Sequence, residues 1–228
     1  MPRRKSLVLT AVAATALLST APALAERAEP KPSKKDAHTV EVFRADLRPV
    51  PHDPDSDNGS DVTARAKLVL RGDELRTVIN GRELSPGLPH AMHIHGDLDA
   101  HNECPNLDAD KNDDGLIDTA EGQPDYGPID ISLTTTGGTG AGFDDALALD
   151  RFPVATASGN LHYNRTFTIP SEFAEGLDQL HIVIHGQDLN DNGEYDFGPG
   201  TSSLSAAVGA PVPLEAELPV ACGTIKAR

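Results

Sequence analysis

Alternating hydrophobic and polar residues run through most of the chain and predict short β-strands. In residues 63–70 the even-numbered positions are alanine or leucine, whereas arginine and lysine occupy two of the odd-numbered positions. This period of two is typical of a strand with one buried face. The same signal predicts further strands near residues 38–48, 74–81, 90–95, 129–135, 161–168, 180–186 and 212–220.

The segments between these strands are rich in glycine, proline, asparagine and aspartate, as turns require. No long segment has the helical period of 3.6, and residues 171–180 are expected to hold one short helical turn. About eight short strands predict an all-β fold, a Greek-key β-sandwich or flattened barrel with long acidic loops. Only one hydrophobic core is indicated, so residues 38–228 are expected to form one domain.

The first 37 residues do not follow the strand pattern. Residues 1–25 combine a basic start, an apolar run at residues 7–18 and small residues at Ala23 and Ala25. This arrangement is typical of a secretory signal peptide, and the apolar run is too short to span a membrane. Residues 26–37 are charged and contain proline, which indicates a flexible linker. The protein is therefore expected to be exported, and to be extracellular, cell-wall-associated or periplasmic.

The chain is acidic, with 35 Asp and Glu against 19 Lys and Arg and a formal net charge of −16. Removal of residues 1–25, which hold three basic and no acidic side chains, takes this charge to −19. Nucleic acids and anionic membranes require a basic surface, so neither is an expected partner. No later segment is apolar for long enough to span a membrane, and no motif indicates a protein partner.

The chain has two cysteines, Cys104 and Cys222. In an exported protein an even pair is expected to form a disulfide, which here would close a loop of more than a hundred residues. The alternative is two unrelated buried thiols, which an oxidising compartment disfavours.

Two pairs of histidines fall on predicted strands. His93 and His95 are two residues apart, about 6.5–7 Å along a strand, so both imidazoles lie on one face. His181 and His185 share a face of a second strand with Val183. If these strands are neighbours, three or four imidazoles meet at one ion. An all-imidazole set suits copper, zinc, nickel or iron better than calcium or magnesium. The alternative is a set of solvated surface histidines.

One acidic segment fits a twelve-residue calcium loop at every position. Residues 110–121 have glycine at position 6, an apolar residue at position 8 and glutamate at position 12. Calcium takes six to eight oxygen ligands, and this spacing wraps them around one ion. The expected ligands are Asp110, Asn112, Asp114, the carbonyl of Leu116, Asp118 and Glu121. No strong flanking helices are predicted, so the loop is expected as an insertion in a β domain.

A second segment repeats the first part of this pattern. Its expected ligands are Asp188, Asn190, Asn192, the carbonyl of Glu194 and Asp196. Position 12 is Pro199 instead of glutamate, so calcium binding is expected to be weak there unless another residue completes the site. A third acidic run at residues 53–61 has its glycine in the wrong place and is interpreted as a solvated loop.

These motifs together resemble the copper/zinc superoxide dismutase family. The sequence has HIH at residues 93–95, a cysteine eleven residues after the first histidine, and ACGTI at residues 221–225. The family has H-V-H, a cysteine at the same spacing and a terminal A-C-G-V-I. The chain is also similar to exported CHRD-type domains, which share an H-I-H-G strand. Over about residues 38–228, the resemblance implies an eight-stranded Greek-key fold and the same disulfide. It also implies copper at His93, His95 and His185, with His181 as a further candidate.

The chain departs from the dismutase pattern at two places. Residues 105–128, where the family has its zinc ligands, contain no histidine, so no zinc site is expected; His101 could substitute only if its loop folded back. Pro219 stands where the family has its active-site arginine. Two hypotheses follow: a copper-dependent dismutase that converts superoxide to oxygen and hydrogen peroxide, or a calcium-stiffened module with weak or no dismutase activity. The missing arginine and the acidic charge favour the second.

Overall fold

The computed structural model of the chain describes residues 39–52, 59–97, 103–197 and 202–228, whose strands form one antiparallel sheet. The strands are β1 (Val40–Pro49), β2 (Thr63–Arg71), β3 (Glu74–Arg82), β4 (Met92–His95), β5 (Ile129–Ser132), β6 (Leu161–Thr168), β7 (His181–His185), β8 (Pro219–Thr224) and β9 (Lys226–Ala227). They pair in the order β5-β4-β7-β8-β1-β2-β3-β6, and β9 pairs with β1. The predicted all-β flattened barrel is confirmed.

The sheet curls into a half barrel whose two halves face each other across the core. One half is β5-β4-β7-β8, and the other is β1-β2-β3-β6 with β9. The chain passes between the halves after β3, β5, β6 and β8, so that β6 pairs with β3 and β7 pairs with β4. Connections that cross in this way are typical of a Greek key. As a result, the two histidine-bearing strands β4 and β7 lie side by side although β5 and β6 separate them in the chain.

The core is built from the alternating residues that predicted the strands. One row of paired neighbours crosses four strands as Ala45, Ala66, Ile79 and Tyr163, all of them buried. In β4, Ile94 lies between the two histidines and points into the same core. Removal of this apolar surface from water is the main term that stabilises the fold.

The opposite face of β4 and β7 is buried as well. A second hydrophobic cluster covers it with residues from the segment after β4, such as Ile117 and Tyr126, which pack with Val183 of β7 and Cys222 of β8. The disulfide between Cys104 and Cys222 joins this covering segment to β8, which confirms the predicted pairing. The histidines of β4 and β7 therefore lie between the sheet and the covering segment.

Short helices lie in the connections. The α-helices are α1 (Thr119–Tyr126), α2 (Phe143–Ala146), α3 (Ser171–Glu175), α4 (Ser203–Val208) and α5 (Leu214–Glu217), and single 3-10 turns lie at Leu107–Ala109, Leu149–Arg151 and Leu177–Gln179. Helix α3 confirms the helical turn expected within residues 171–180. Within the ranges given above, no helix is long and apolar enough to cross a membrane.

The structure differs from the predicted strands at three places, and the first is β9, a two-residue strand that the pattern did not predict. Strand β5 ends at Ser132, before the predicted end at residue 135. The strand predicted near residues 212–220 is instead helix α5 followed by β8. All four residues of α5 are buried, and the carboxylates of Glu215 and Glu217 accept backbone N–H groups from neighbouring segments. The alternation of glutamate with apolar residues therefore reflects these buried contacts and not an exposed face.

Several expectations lie outside the described residues and stay predictions. They are the signal peptide at residues 1–25, the linker at residues 26–37, His101, and most of the third acidic run, residues 53–58.

Candidate metal centre

Neighbouring strands bring three histidines together. His93 and His95 lie on β4, and His185 ends β7, which pairs with β4 in an antiparallel register. The ring centroids of the three imidazoles lie 5.3 to 5.7 Å apart. One nitrogen of each ring lies within 4.8 Å of one nitrogen of each of the others. The spacing fits three ligands of one metal ion.

Each of the three rings forms a hydrogen bond from one of its nitrogens to a backbone carbonyl. The contacts are His93 Nε2 to Ala146, His95 Nδ1 to Gly127 and His185 Nδ1 to Glu217, at 3.0, 3.0 and 2.8 Å. A carbonyl oxygen only accepts hydrogen bonds, so the nitrogen that faces it carries the proton. The tautomer of each neutral ring is thereby fixed, and its other nitrogen keeps a lone pair.

The other nitrogens have no hydrogen-bond partner among the residues that the structure describes. They are Nδ1 of His93, Nε2 of His95 and Nε2 of His185, all buried. Buried polar atoms in proteins are almost always paired, since an unpaired one costs about 1–3 kcal/mol. Three such atoms in one place therefore fit the donor set of a metal ion.

Burial keeps the three histidines neutral. It lowers the pKa of His93 to about 3, with a further lowering from the nearby ring of His185. Burial also lowers the pKa of His185 to about 4 and holds the pKa of His95 well below its usual range. The neutral imidazole is the form that binds metals, so no proton has to be displaced at neutral pH.

Two aromatic side chains form the walls of this group. The ring of Tyr126 lies 4.7 Å from the ring of His95, and the ring of Phe152 lies 5.4 Å from the ring of His93. The hydroxyl of Tyr126 donates to the carbonyl of Thr119 at 3.2 Å and so does not compete for the histidine nitrogens. The walls exclude water and lower the dielectric around the three lone pairs.

The fourth predicted copper ligand, His181, does not belong to this group. It lies opposite His95 across the β4–β7 pair, but its Nε2 is 3.0 Å from the hydroxyl of Thr224. Burial lowers the pKa of His181 to about 4. The structure thus brings together three of the four predicted histidines.

A mainly apolar cavity of about 210 Å³ lies beside His93 and His185. Its lining includes Leu147, Leu149, Leu204, Val212 and Pro213. Glu217 is also among its lining residues, and no lysine or arginine is among the described residues that line it. A molecule that approaches the histidines through this cavity therefore meets mainly apolar groups and no basic side chain.

The first acidic loop is held by hydrogen bonds from its backbone to its own side chains. Three side-chain oxygens accept hydrogen bonds from backbone N–H groups two or five residues later in the chain. Asp110 accepts from Gly115 (2.9 Å), Asn112 from Asp114 (2.8 Å) and Asp114 from Leu116 (2.9 Å). Gly115 has a φ of +82°, which an L side chain rarely adopts. The second carboxylate oxygen of Asp110 is buried and has no hydrogen-bond partner in the described part of the chain.

The last residue of this loop, Glu121, closes it. One of its oxygens accepts the N–H of Lys111 at 3.0 Å and the other accepts the N–H of Asp118 at 3.2 Å. Asp118 and Glu121 also form a capping box that begins helix α1. This helix was not predicted because Gly122 and Pro124 are poor helix formers, although the D-x-x-E spacing could have indicated its start.

Helix α1 connects the first acidic loop to the histidines. It ends at Tyr126 and is followed by Gly127, and both contact His95. At the start of the helix, the hydroxyl of Thr119 donates to the carbonyl of Glu217 at 2.8 Å, the same carbonyl that holds His185. An ion bound in the loop would therefore restrict the motion of helix α1, whose two ends contact the groups that orient His95 and His185.

The second acidic loop repeats the same backbone pattern. Its contacts are Asp188 to the N–H of Gly193 (2.7 Å), Asn190 to that of Asn192 (3.1 Å) and Asn192 to that of Glu194 (2.8 Å). Gly193 has a φ of +83°. Asp196 accepts the side-chain amides of Asn190 and Asn192. Pro199, which stands in the place of the closing glutamate, lies outside the described residues.

Comparison with known proteins identifies no family. No family model matches the chain, and no curated protein matches it. Among solved structures, the fold is similar to a Cu/Zn superoxide dismutase from Brucella abortus, with a TM-score of 0.37 and 18% sequence identity over 81% of this chain and 99% of that chain. A likeness at this level assigns no activity, and the similarity to CHRD-type domains stays a prediction.

Proposed function

We propose that this chain is an exported β domain that holds one copper ion through Nδ1 of His93, Nε2 of His95 and Nε2 of His185. One observation carries the proposal. Three buried, neutral imidazoles each give one nitrogen to a backbone carbonyl and keep the other unpaired, within reach of a common ion. Solvated surface histidines would have water on both nitrogens and would have no need of a fixed tautomer.

The donor set favours copper over the other metals. Imidazole binds copper, zinc, nickel and iron, and among the divalent ions Cu²⁺ has the highest affinity for a given nitrogen site. No carboxylate of the described residues belongs to the group, and both cysteines form the disulfide. When bound, copper supplies one-electron chemistry by alternating between two oxidation states. The chain itself orients the three rings and keeps water away from them.

Weak or absent dismutase activity is part of this proposal. Superoxide is an anion, and an attractive field around a site raises the rate at which a charged substrate arrives. Here the described lining of the cavity beside the histidines holds no lysine or arginine, and the whole chain carries a net charge of −16. No basic group there attracts the anion, and the net charge of the chain repels it.

Superoxide consumption tests this part of the proposal. We expect the copper-loaded, desalted chain to consume superoxide more slowly per copper than the same concentration of free copper. Stopped-flow absorbance at low and high salt measures the rate, and a rate that rises with salt indicates electrostatic repulsion of the anion. A rate above that of free copper would instead support the alternative, an active copper-only dismutase.

Calcium binding by the first acidic loop is also proposed. Asp110, Asn112, Asp114 and Asp118 supply side-chain oxygens, Leu116 supplies its carbonyl, and Glu121 closes the loop. The loop has the required turn at Gly115, and one oxygen of Asp110 is buried without a partner. Hard oxygen ligands at this spacing suit calcium.

Calcium is expected to raise the melting temperature of the chain. An ion that binds only the folded state at 100 times its Kd adds about 2.7 kcal/mol, which is about 5–10 °C for a domain of this size. Differential scanning calorimetry with and without chelator measures the shift. The variant Glu121→Gln is expected to show a smaller shift, because it loses the contribution of this loop, whereas Glu175→Gln at the exposed end of α3 should keep the full shift. An equal shift in both variants would contradict calcium binding in this loop.

A further inference from the structure

The second acidic loop has no glutamate at its twelfth position, but the fold places a glutamate from a later segment of the chain against it. We propose that Glu215, in helix α5, takes the place of the twelfth residue and completes a second calcium site. The site then consists of Asp188, Asn190, Asn192, the carbonyl of Glu194, Asp196 and Glu215. The inference rests on the calcium-binding function proposed above, and it names a ligand that the local sequence does not contain.

The contacts of Glu215 match those of the glutamate that closes the first loop. Glu121 accepts the N–H groups of positions 2 and 9 of its loop, one on each carboxylate oxygen. Glu215 accepts the N–H of Leu189 at 3.2 Å on one oxygen and that of Asp196 at 2.9 Å on the other. These are also positions 2 and 9. The two carboxylates therefore occupy the same place relative to their loops.

The backbones of the two loops agree as well. Position 4 has a positive φ in both, 57° at Asp113 and 56° at Asp191, and position 6 is glycine with a φ of 82° or 83°. With Glu215 in the twelfth place, the second loop offers up to seven oxygen ligands, which is within the range that calcium takes. It has three carboxylates where the first loop has four, so its affinity is expected to be lower.

Glu215 is a buried charge without a cationic partner, which itself points to a cation. The residue is 2% exposed, and no lysine, arginine or histidine nitrogen of the described residues lies within 4.0 Å of its carboxylate. The carboxylates of Asp196 and Asp188 lie close enough to interact with the charge of Glu215. A buried carboxylate beside two others is costly unless a cation neutralises them. A divalent ion in the loop would do so.

The simpler explanation is that Glu215 only holds the loop in place through its two hydrogen bonds. That role would change the stability of the calcium-free chain and leave the number of bound calcium ions unchanged. A ligand role changes that number. Calcium stoichiometry therefore separates the two explanations.

The test is a calorimetric titration of the calcium-free, disulfide-intact chain with calcium chloride. We expect two ions per chain, and one in Glu215→Gln, in which the affinity of the second site falls by more than about 100-fold. Asp188→Asn should lose the same ion. The control is Glu175→Gln at the exposed end of α3, because that carboxylate lies in neither acidic loop and outside the histidine group. It should bind two ions.

Circular dichroism verifies that each variant is folded. Should Glu215→Gln fail to fold, Glu215→Asp, whose side chain is one methylene shorter, is expected to show the same loss. Two ions retained in a folded Glu215 variant would overturn the proposal. One ion in the unmodified chain, lost in Glu121→Gln and kept in Glu215→Gln, would overturn it while leaving the first loop intact. No bound calcium at all would overturn the calcium-binding function as well.

Discussion

The variant His95→Ala is expected to bind copper at least about 100-fold more weakly than the unmodified chain. In metal proteins, the loss of a partner that only orients a ligand already costs about 10–100-fold in affinity, and this variant removes a ligand itself. His95 lies 5.5 Å from the ring of His93 and 5.7 Å from that of His185, so its loss leaves two nitrogens in place of three. Two imidazoles do not enclose an ion.

Competition with a chromophoric copper chelator measures this change in affinity. The matched control is His162→Ala, because His162 is an exposed histidine of β6 whose Nδ1 contacts the side chain of Asn80. That variant should bind copper like the unmodified chain. Equal affinity in the two variants would show that copper binds elsewhere on the surface.

Loss of the disulfide is expected to reduce the free energy of unfolding by about 4–5 kcal/mol. The bond between Cys104 and Cys222 closes a loop of 118 residues, and in the chain-entropy model a loop of this length restricts the unfolded chain by about that amount. It also joins the segment that covers the histidines to β8. The double variant Cys104→Ala/Cys222→Ala should therefore be destabilised in its metal-free form as well.

Guanidinium unfolding at equilibrium, followed by far-UV circular dichroism, gives this free energy. Treatment of the unmodified chain with a reducing agent should produce the same loss, and the reducing agent should have no effect on the double variant. A difference below about 1 kcal/mol would mean that the covering segment is held by its packing alone.

The strands of the first half of the sheet could be predicted because one of their faces is exposed. In β2 the buried residues alternate with exposed arginine and lysine, and a period of two follows directly. Helix α5 could not be predicted, since Glu215 and Glu217 mimic exposed positions while lying buried against distant segments. An alternating sequence shows which residues are polar. A polar residue is exposed only where no buried hydrogen bond satisfies its side chain.

The grouping of three histidines could be predicted from the sequence, but their surroundings could not. His93 and His95 share a face because they are two residues apart, and β7 adds His185 because the Greek key makes it the neighbour of β4. The partners of these rings are backbone carbonyls, which any residue provides, so the sequence carries no signal for them. The contact of Glu215 with the second loop is hidden for a related reason, since it joins segments that are distant in the chain.

Copper content per chain is the most direct test of the proposed metal centre. The disulfide-intact chain would be exposed to excess copper, zinc and calcium, desalted, and analysed by inductively coupled plasma mass spectrometry. We predict one tightly held copper per chain, absent from a folded His93→Ala/His185→Ala double variant. No retained copper in the unmodified chain, or an equal amount in the double variant, would contradict the assignment of the three histidines as a copper site.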